Sequence, residues 1–337
     1  MRIPPQLICE RHSQPLTTAN PDGRVEDAAA LTCSQDCCVP IVEGIPRFVD
    51  RDNYASGFGL QWKAFSKTQL DSHTGTTISR DRLARCLGGS MGVVRDKNVL
   101  EVGCGAGRFT EVLLQSGAKV FACDLSPAVE ANYDNCHASQ NYFVCQADAR
   151  HVPIAPHSFD FVICLGVIQH TPSPEETIAA LSRYVRPGGT LIIDHYTHSY
   201  PRNFFQRNLR RVLIRLPPRR AKSAALMLAQ LLLPFHRLSW NKRRGVWRLR
   251  RFLARHSPLI DYYETYPQLD KQTLSEWSVL DTHDTLTDFY KHLRTAEEIE
   301  SALRRCGLTD LEVSYAGNGV EARAKMPLPL DYASSET

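Results

Sequence analysis

The sequence predicts an α/β protein: a Rossmann-like, doubly wound sheet of five parallel strands, completed by a C-terminal antiparallel hairpin. Two observations carry this. The stretch NVLEVGCGAGRF, residues 98–109, runs an apolar strand into three glycines on alternate positions, the strand, turn and helix that open such a sheet. Downstream, apolar strand-like runs alternate with helical patterns, and LEVSYAGNGVEARAK reverses around Gly317-Asn318-Gly319 as a hairpin does.

Each element follows in order. Val99–Val102 reads as a buried strand and Arg108–Gln115 as the helix after it, stopped near Gly117. A dinucleotide fingerprint needs a third glycine at position 108, where Arg108 stands. No Lys-Ser/Thr pair follows these glycines, so a P-loop is excluded here. Glu101, two residues before Gly103, disfavours a pyrophosphate and suits a cationic amino group. AKVFACDLSP is a second strand ending in Asp124, placed to accept ribose hydroxyls. NYFVCQADAR is a third strand ending in Asp148, and Phe159–Leu165 is a fourth. Ser173-Pro174-Glu175-Glu176 offers an N-cap, a proline at N1 and a capping-box glutamate. TLIID is the fifth strand, and Thr295-Ala296-Glu297-Glu298 is a second capping box whose helix closes at Gly307.

Taken together, these segments resemble the class I S-adenosylmethionine-dependent methyltransferases, with GVIQHTP and RPGG closest to the quinone-type members (methyltransferase type 11). The resemblance implies S-adenosylmethionine as cofactor. It implies contacts from Glu101, Gly103, Cys104, Gly105 and Gly107 in the loop, and from Asp124 and Leu125 after the second strand. Asp148, as partner of the adenine amino group, and Ala149 follow the third strand, and Leu165 ends the fourth. A helical lid is implied too, with Gln61 and Trp62 nearest the cofactor; the spacing of Phe58, Trp62 and Phe65 equally suits a packing face.

The N-terminal fifty residues carry Cys9, His12, Cys33 and Cys37, four soft ligands in two knuckles that suit tetrahedral zinc. With its Pro-Ile-Val-x-Gly-Ile-Pro-Arg-Phe tail, the segment resembles the zinc ribbon ahead of some bacterial methyltransferases, although His12 stands where a cysteine is usual. The expectation is a structural Zn2+; a ribbon that folds without metal is the alternative. The other cysteines (Cys38 apart) are scattered, several inside apolar strands, as reduced core thiols would be. The N-terminus has no apolar core of signal-peptide length and no apolar run is long enough to span a membrane, so a cytoplasmic protein, with peripheral membrane contact as the further option, is expected.

The predicted organisation is a ribbon-like domain (1–50), a helical lid or linker (51–97), the Rossmann-like domain (98–196 and 281–327) and an inserted helical cap (197–280). Residues 202–256 hold 16 Lys and Arg and no acid, leaving 24 basic against 36 acidic residues elsewhere. Three readings suit this segment: a solvated structural cap, a basic amphipathic surface against anionic lipid or a lipid-linked substrate, and a nucleic-acid contact.

After the fourth strand the chain reads Cys164-Leu165-Gly166-Val167-Ile168-Gln169-His170. It has neither the Pro-Pro clamp for base amines nor a Pro-Cys nucleophile. The expected acceptor is therefore a small molecule, a lipid-linked compound or a glycan. RNA, or a non-catalytic cofactor-binding partner protein, is the alternative. A hydroxyl acceptor must lose a proton, which calls for a base. His195 is the first candidate, with His170 and Asp194 beside it; Tyr196, His198, His283 and Asp284 are further polar residues of that region.

Overall fold

The computed structural model describes residues 1–20, 22–26, 28–50, 53–55, 59, 62, 65–198, 203–240 and 246–329. Phe58, Gln61, Arg243 and Arg244 lie outside them.

The main sheet has seven strands: β4 (Asn98–Val102), β5 (Lys119–Asp124), β6 (Tyr142–Gln146), β7 (Phe159–Cys164), β8 (Val185–Tyr196), β9 (Thr309–Ala316) and β10 (Gly319–Lys325). Their order is β6-β5-β4-β7-β8-β10-β9. The first five are parallel, and β10 runs antiparallel between β8 and β9. Strand order reverses about β4, which opens a crevice beyond the carboxyl ends of β4 and its neighbours. Strands buried on both faces explain the unbroken apolar runs: Val99, Leu100, Val120, Phe121, Val144 and Ile163 are nearly inaccessible.

Four helices accompany these strands: α3 (Arg108–Gln115), α4 (Ala128–Cys136), α5 (Pro174–Ser182) and α10 (Ala296–Arg305). They follow α1 (Asp71–Thr74) and α2 (Ile78–Cys86). The capping box at Thr295 is complete, with Glu298 N–H donating to Thr295 Oγ1 at 3.2 Å and Thr295 N–H to Glu298 Oε2 at 2.8 Å. Two strand limits differ from expectation. β8 extends well beyond TLIID because it pairs with β7 on one side and β10 on the other. β6 stops at Gln146, so Asp148 lies past the strand.

At the N-terminus β1 (Ala30–Thr32), β2 (Cys38–Val42) and β3 (Ile45–Pro46) form a small antiparallel sheet. Glu43 and Gly44, both with positive φ, make its two-residue hairpin turn. This segment does not stand on a core of its own. Leu7, Leu16, Val25 and Leu31 join the apolar cluster of Leu100, Phe121 and Phe143, and Arg47 bridges to Gln146 beside β6.

The insertion is helical: α6 (Phe204–Leu213), α7 (Pro218–Ser239) and α8 (Trp247–His256), followed by α9 (Lys271–Thr287). α9 runs unbroken through residues 280–281, where the sequence had placed the insertion's end, because its buried side packs on α7 and α6. α7 is apolar on its outer side as well as its buried one. Ala221, Ala225 and Ala229 face inward, while Met227, Leu231, Phe235 and Leu238 are 54–65% exposed on another stripe. Among the described residues no helix is long and apolar enough to cross a membrane.

Candidate active site

A cavity of about 830 Å3 occupies the crevice at the carboxyl ends of the parallel strands and extends under the insertion. The glycine loop forms its floor. Gly103 (φ 76°) turns the chain out of β4 against β7's loop: a Cβ here would stand 2.1 Å from Val167 Cγ2. Gly105 (φ 51°) lies under Trp62, whose ring would be 3.3 Å from an added Cβ. Cys104, Leu125, Ala149 and Leu165 also line the cavity. Gly107 does not; with φ 100° it is the N-cap of α3.

Asp124 lines the cavity from the end of β5. Its carboxylate accepts from Gly105 N–H (3.0 Å) and from the amide and hydroxyl of Ser126 (2.8 and 2.7 Å). These bonds fix the acid beneath the loop, while burial, the dominant effect, raises its pKa.

Five expected contacts lie elsewhere than the cavity wall. Gly107 is one. Glu101 is buried below the loop, accepting from Thr110 Oγ1 at 2.6 Å, and burial pushes its pKa up to about 8. It therefore braces α3 against β4 and does not face the cavity. Asp148 is engaged by Arg150, whose Nε and terminal nitrogen lie at 3.1 and 2.7 Å. Burial alone would raise its pKa, but the guanidinium outweighs this and lowers it. Asp194 accepts from Gly166 N–H at 2.5 Å and pairs with Arg82, holding the β7 loop to α2.

His195 is the fifth. Side chains alternate across a strand, so with Tyr196 in the cavity wall His195 faces the other way. It is 1% exposed, its Nδ1 donates to Tyr196 O at 2.8 Å, and burial drives its pKa down to about 4. His283 is likewise buried away from the cavity, with its pKa down at about 4, whereas Asp284 lines it. His198 is exposed and is not part of the wall.

His170 does line the cavity. Its Nδ1 lies 3.2 Å from both Tyr290 O and Asp288 Oδ2. A carbonyl oxygen only accepts, so Nδ1 carries the hydrogen and Nε2 is the basic nitrogen. Burial opposes the imidazolium, but the Asp288 carboxylate, with Asp284 nearby, outweighs it and raises the pKa. Asp288 is itself fully buried and ringed by Arg210 (2.7 Å) and Lys291 (2.9 Å). Against the opposing effect of burial, Lys291, His170 and Arg210 lower its pKa to about 2.

Sequence reasoning missed several cavity residues. Arg108 follows Gly107 directly and is half-buried, with Nε donating to Ser79 Oγ at 3.0 Å and one buried terminal nitrogen lacking a partner. Arg82, Ser257, Asp261 and Asp281 reach the wall through tertiary folding, and no local pattern marks them. Burial pushes Asp281 up to about 7.

In the N-terminal segment the ligand atoms of Cys9, His12, Cys33 and Cys37 lie within 4.8 Å of one another. His12 Nδ1 is 3.4 Å from the sulfurs of Cys33 and Cys37 and 3.8 Å from that of Cys9. Atoms held about 2.0–2.3 Å from one tetrahedral zinc sit at about these separations. The donor set and spacing therefore fit Zn2+.

Residues 100–193 match the family model of the methyltransferase domain. A ubiquinone biosynthesis O-methyltransferase from an Azoarcus species is 31% identical over 127 residues, 36% of this chain and 54% of that protein. One from Pseudomonas fluorescens is 27% identical over 187 residues, covering 53% and 79%. The chain thus spans only about half of the first of these relatives. Among solved structures, a putative S-adenosylmethionine-dependent methyltransferase from Methanococcus maripaludis aligns with a TM-score of 0.45 and 12% identity, covering 83% of this chain and 97% of that one. Over residues 100–193, then, this protein is similar to the methyltransferase domain family.

Proposed function

We propose that this protein methylates a hydroxyl of a small, largely apolar acceptor brought from an anionic membrane surface. The observation that carries the reading is one continuous cavity, with the glycine loop at one end and the basic insertion at the other. The O-methyltransferase relatives favour an oxygen acceptor over nitrogen or carbon.

The residues fit the cofactor. Gly103 and Gly105 keep the loop backbone bare at the cavity floor, where a Cβ would run into Val167 and Trp62, Asp124 offers a carboxylate to ribose hydroxyls, and Trp62 and Leu165 supply apolar walls. Bound there, S-adenosylmethionine supplies a methyl group on a sulfonium. The chain's own task is then alignment and proton removal. Holding the acceptor in line supplies most of the rate. His170 Nε2 takes the hydroxyl proton, Tyr290 O orients the imidazole through Nδ1, and the neighbouring Asp288 carboxylate stabilises the imidazolium. Asp194 and Arg82 fix the loop that carries His170.

The membrane reading rests on charge and exposure together. Of the 16 basic residues of 202–256, eleven stand on α6, α7 and α8, which also carry exposed Phe204, Phe205, Leu231, Phe235, Trp247 and Phe252. Helices α6 and α8 carry Phe204, Phe205, Trp247 and Phe252 near cavity residues Asn203, Gln206 and Ala254. An apolar acceptor can thus pass from lipid to cavity along one short path. To test the function, the protein is incubated with methyl-labelled cofactor and either membrane lipids or RNA from one cell extract. Label in the lipid-soluble fraction supports the reading, and label in RNA alone overturns it.

A further inference from the structure

Ser257, His236 and Asp261 come together where the loop after α8 passes the C-terminal end of α7. His236 Nδ1 is 2.8 Å from Asp261 Oδ2, and His236 Nε2 is 2.8 Å from Ser257 Oγ. A carboxylate only accepts, so Nδ1 carries the hydrogen and Nε2 accepts from the serine hydroxyl. Asp261 is held from behind by Trp240 Nε1, 3.0 Å from both oxygens, and by Tyr263 N–H at 3.0 Å. Burial would raise its pKa, but these partners, His236 first, lower it and keep it ionised. His236 is 1% exposed, while Ser257 and Asp261 both line the cavity. Nucleophile, base and orienting acid are identified by such geometry, whatever their order in the chain.

Donors for a developing oxyanion stand beside the serine. Asn203 caps α6 and donates from Nδ2 to Ser257 O at 2.5 Å, and Gln206 donates from Nε2 to Pro258 O at 3.2 Å. Each amide nitrogen carries a second hydrogen, both residues line the cavity, and the positive end of the α6 dipole lies with them. Ala254, Leu259 and Ile260 make the adjoining wall apolar.

We propose that Ser257 is a nucleophilic serine that cleaves carboxylic esters with an apolar acyl or alkyl part, at the insertion end of the cavity. Ser257 Oγ forms a bond to the ester carbonyl carbon while its proton passes to His236 Nε2. The tetrahedral adduct collapses, the carbon–alkoxy bond breaks, and the leaving alkoxide takes the proton from His236. Water then attacks the acyl-serine, gives one proton to Nε2, and releases the carboxylic acid as Ser257 regains its hydrogen. Neither oxidant nor metal enters the balance.

The test uses the full chain and a fluorophosphonate probe, with the labelled peptide mapped by mass spectrometry. The expected result is one label per chain on Ser257, together with p-nitrophenyl ester hydrolysis. Both should fall at least ~100-fold in Ser257→Ala and His236→Gln, with each variant's unfolding midpoint measured to show that it folds. Mapping on the unaltered protein needs no variant. An unlabelled Ser257 in folded protein, or equal labelling in folded His236→Gln, overturns the proposal and shows that the three residues only tie α7 to the loop. Neither readout involves methyl transfer, so the outcome is independent of that activity.

Discussion

His170 Nδ1 lies 3.2 Å from Asp288 Oδ2, inside a ring completed by Arg210 and Lys291. In the proposed reaction, with His170 as the base, this relationship should set the pH dependence of methyl transfer. The base works unprotonated, and His170's pKa is raised above its usual value. Activity should therefore rise with pH through a point above about 6.5 and be lost below it. Asp288→Asn should move that point downward, and His170→Asn should lower kcat by about 100-fold or more. A pH–rate profile unchanged in Asp288→Asn would contradict this assignment.

Asp288 also governs acid stability. Its folded pKa of about 2 is below the unfolded value of about 3.9. The stability it contributes, on the order of 2 kcal/mol, is present above pH ~4 and lost as pH falls through its folded value. Asp288→Asn leaves Lys291 and the half-buried Arg210 without their acid and should cost about 3–5 kcal/mol at neutral pH. Denaturant unfolding at pH 7 and pH 3 checks both magnitude and sign, the difference between variant and parent being smaller at pH 3.

The parallel strands and the glycine loop were legible because apolar runs and turn residues act locally. Asp124 was legible for the same reason, standing at the last residue of a recognisable strand. Asp148 was not, because β6 ends two residues early and Arg150 captures the carboxylate. For His195, strand alternation decides the side, yet nothing local says which of Asp194, His195 and Tyr196 faces the cavity. His236, Ser257 and Asp261 meet only through the packing of the insertion, which no periodicity reports.

The ribbon should hold one zinc per chain on Cys9, His12, Cys33 and Cys37. Elemental analysis after chelator-free purification should give a ratio near one, falling toward zero in Cys33→Ser. Because the segment shares its core with the main sheet, metal loss should lower the unfolding midpoint by several degrees without unfolding the whole chain. A ratio near zero in the parent protein would show a ribbon that folds without metal.

The insertion should bind anionic vesicles and ignore neutral ones. A polybasic surface gains about 1 kcal/mol per Lys or Arg near anionic lipid, and exposed Leu231, Phe235 and Phe252 add apolar insertion. In flotation assays, Leu231→Asp with Phe252→Asp should abolish binding while the unfolding midpoint holds. Retained flotation in that double variant would contradict the assigned surface.

The most direct measurement of the central claim is a calorimetric titration with S-adenosylhomocysteine, the demethylated cofactor. One equivalent should bind per chain with micromolar affinity. Gly105→Arg, which fills the space between the loop and Trp62, should abolish binding. Tight binding of NAD in its place, or no binding of S-adenosylhomocysteine by the folded protein, would contradict the account.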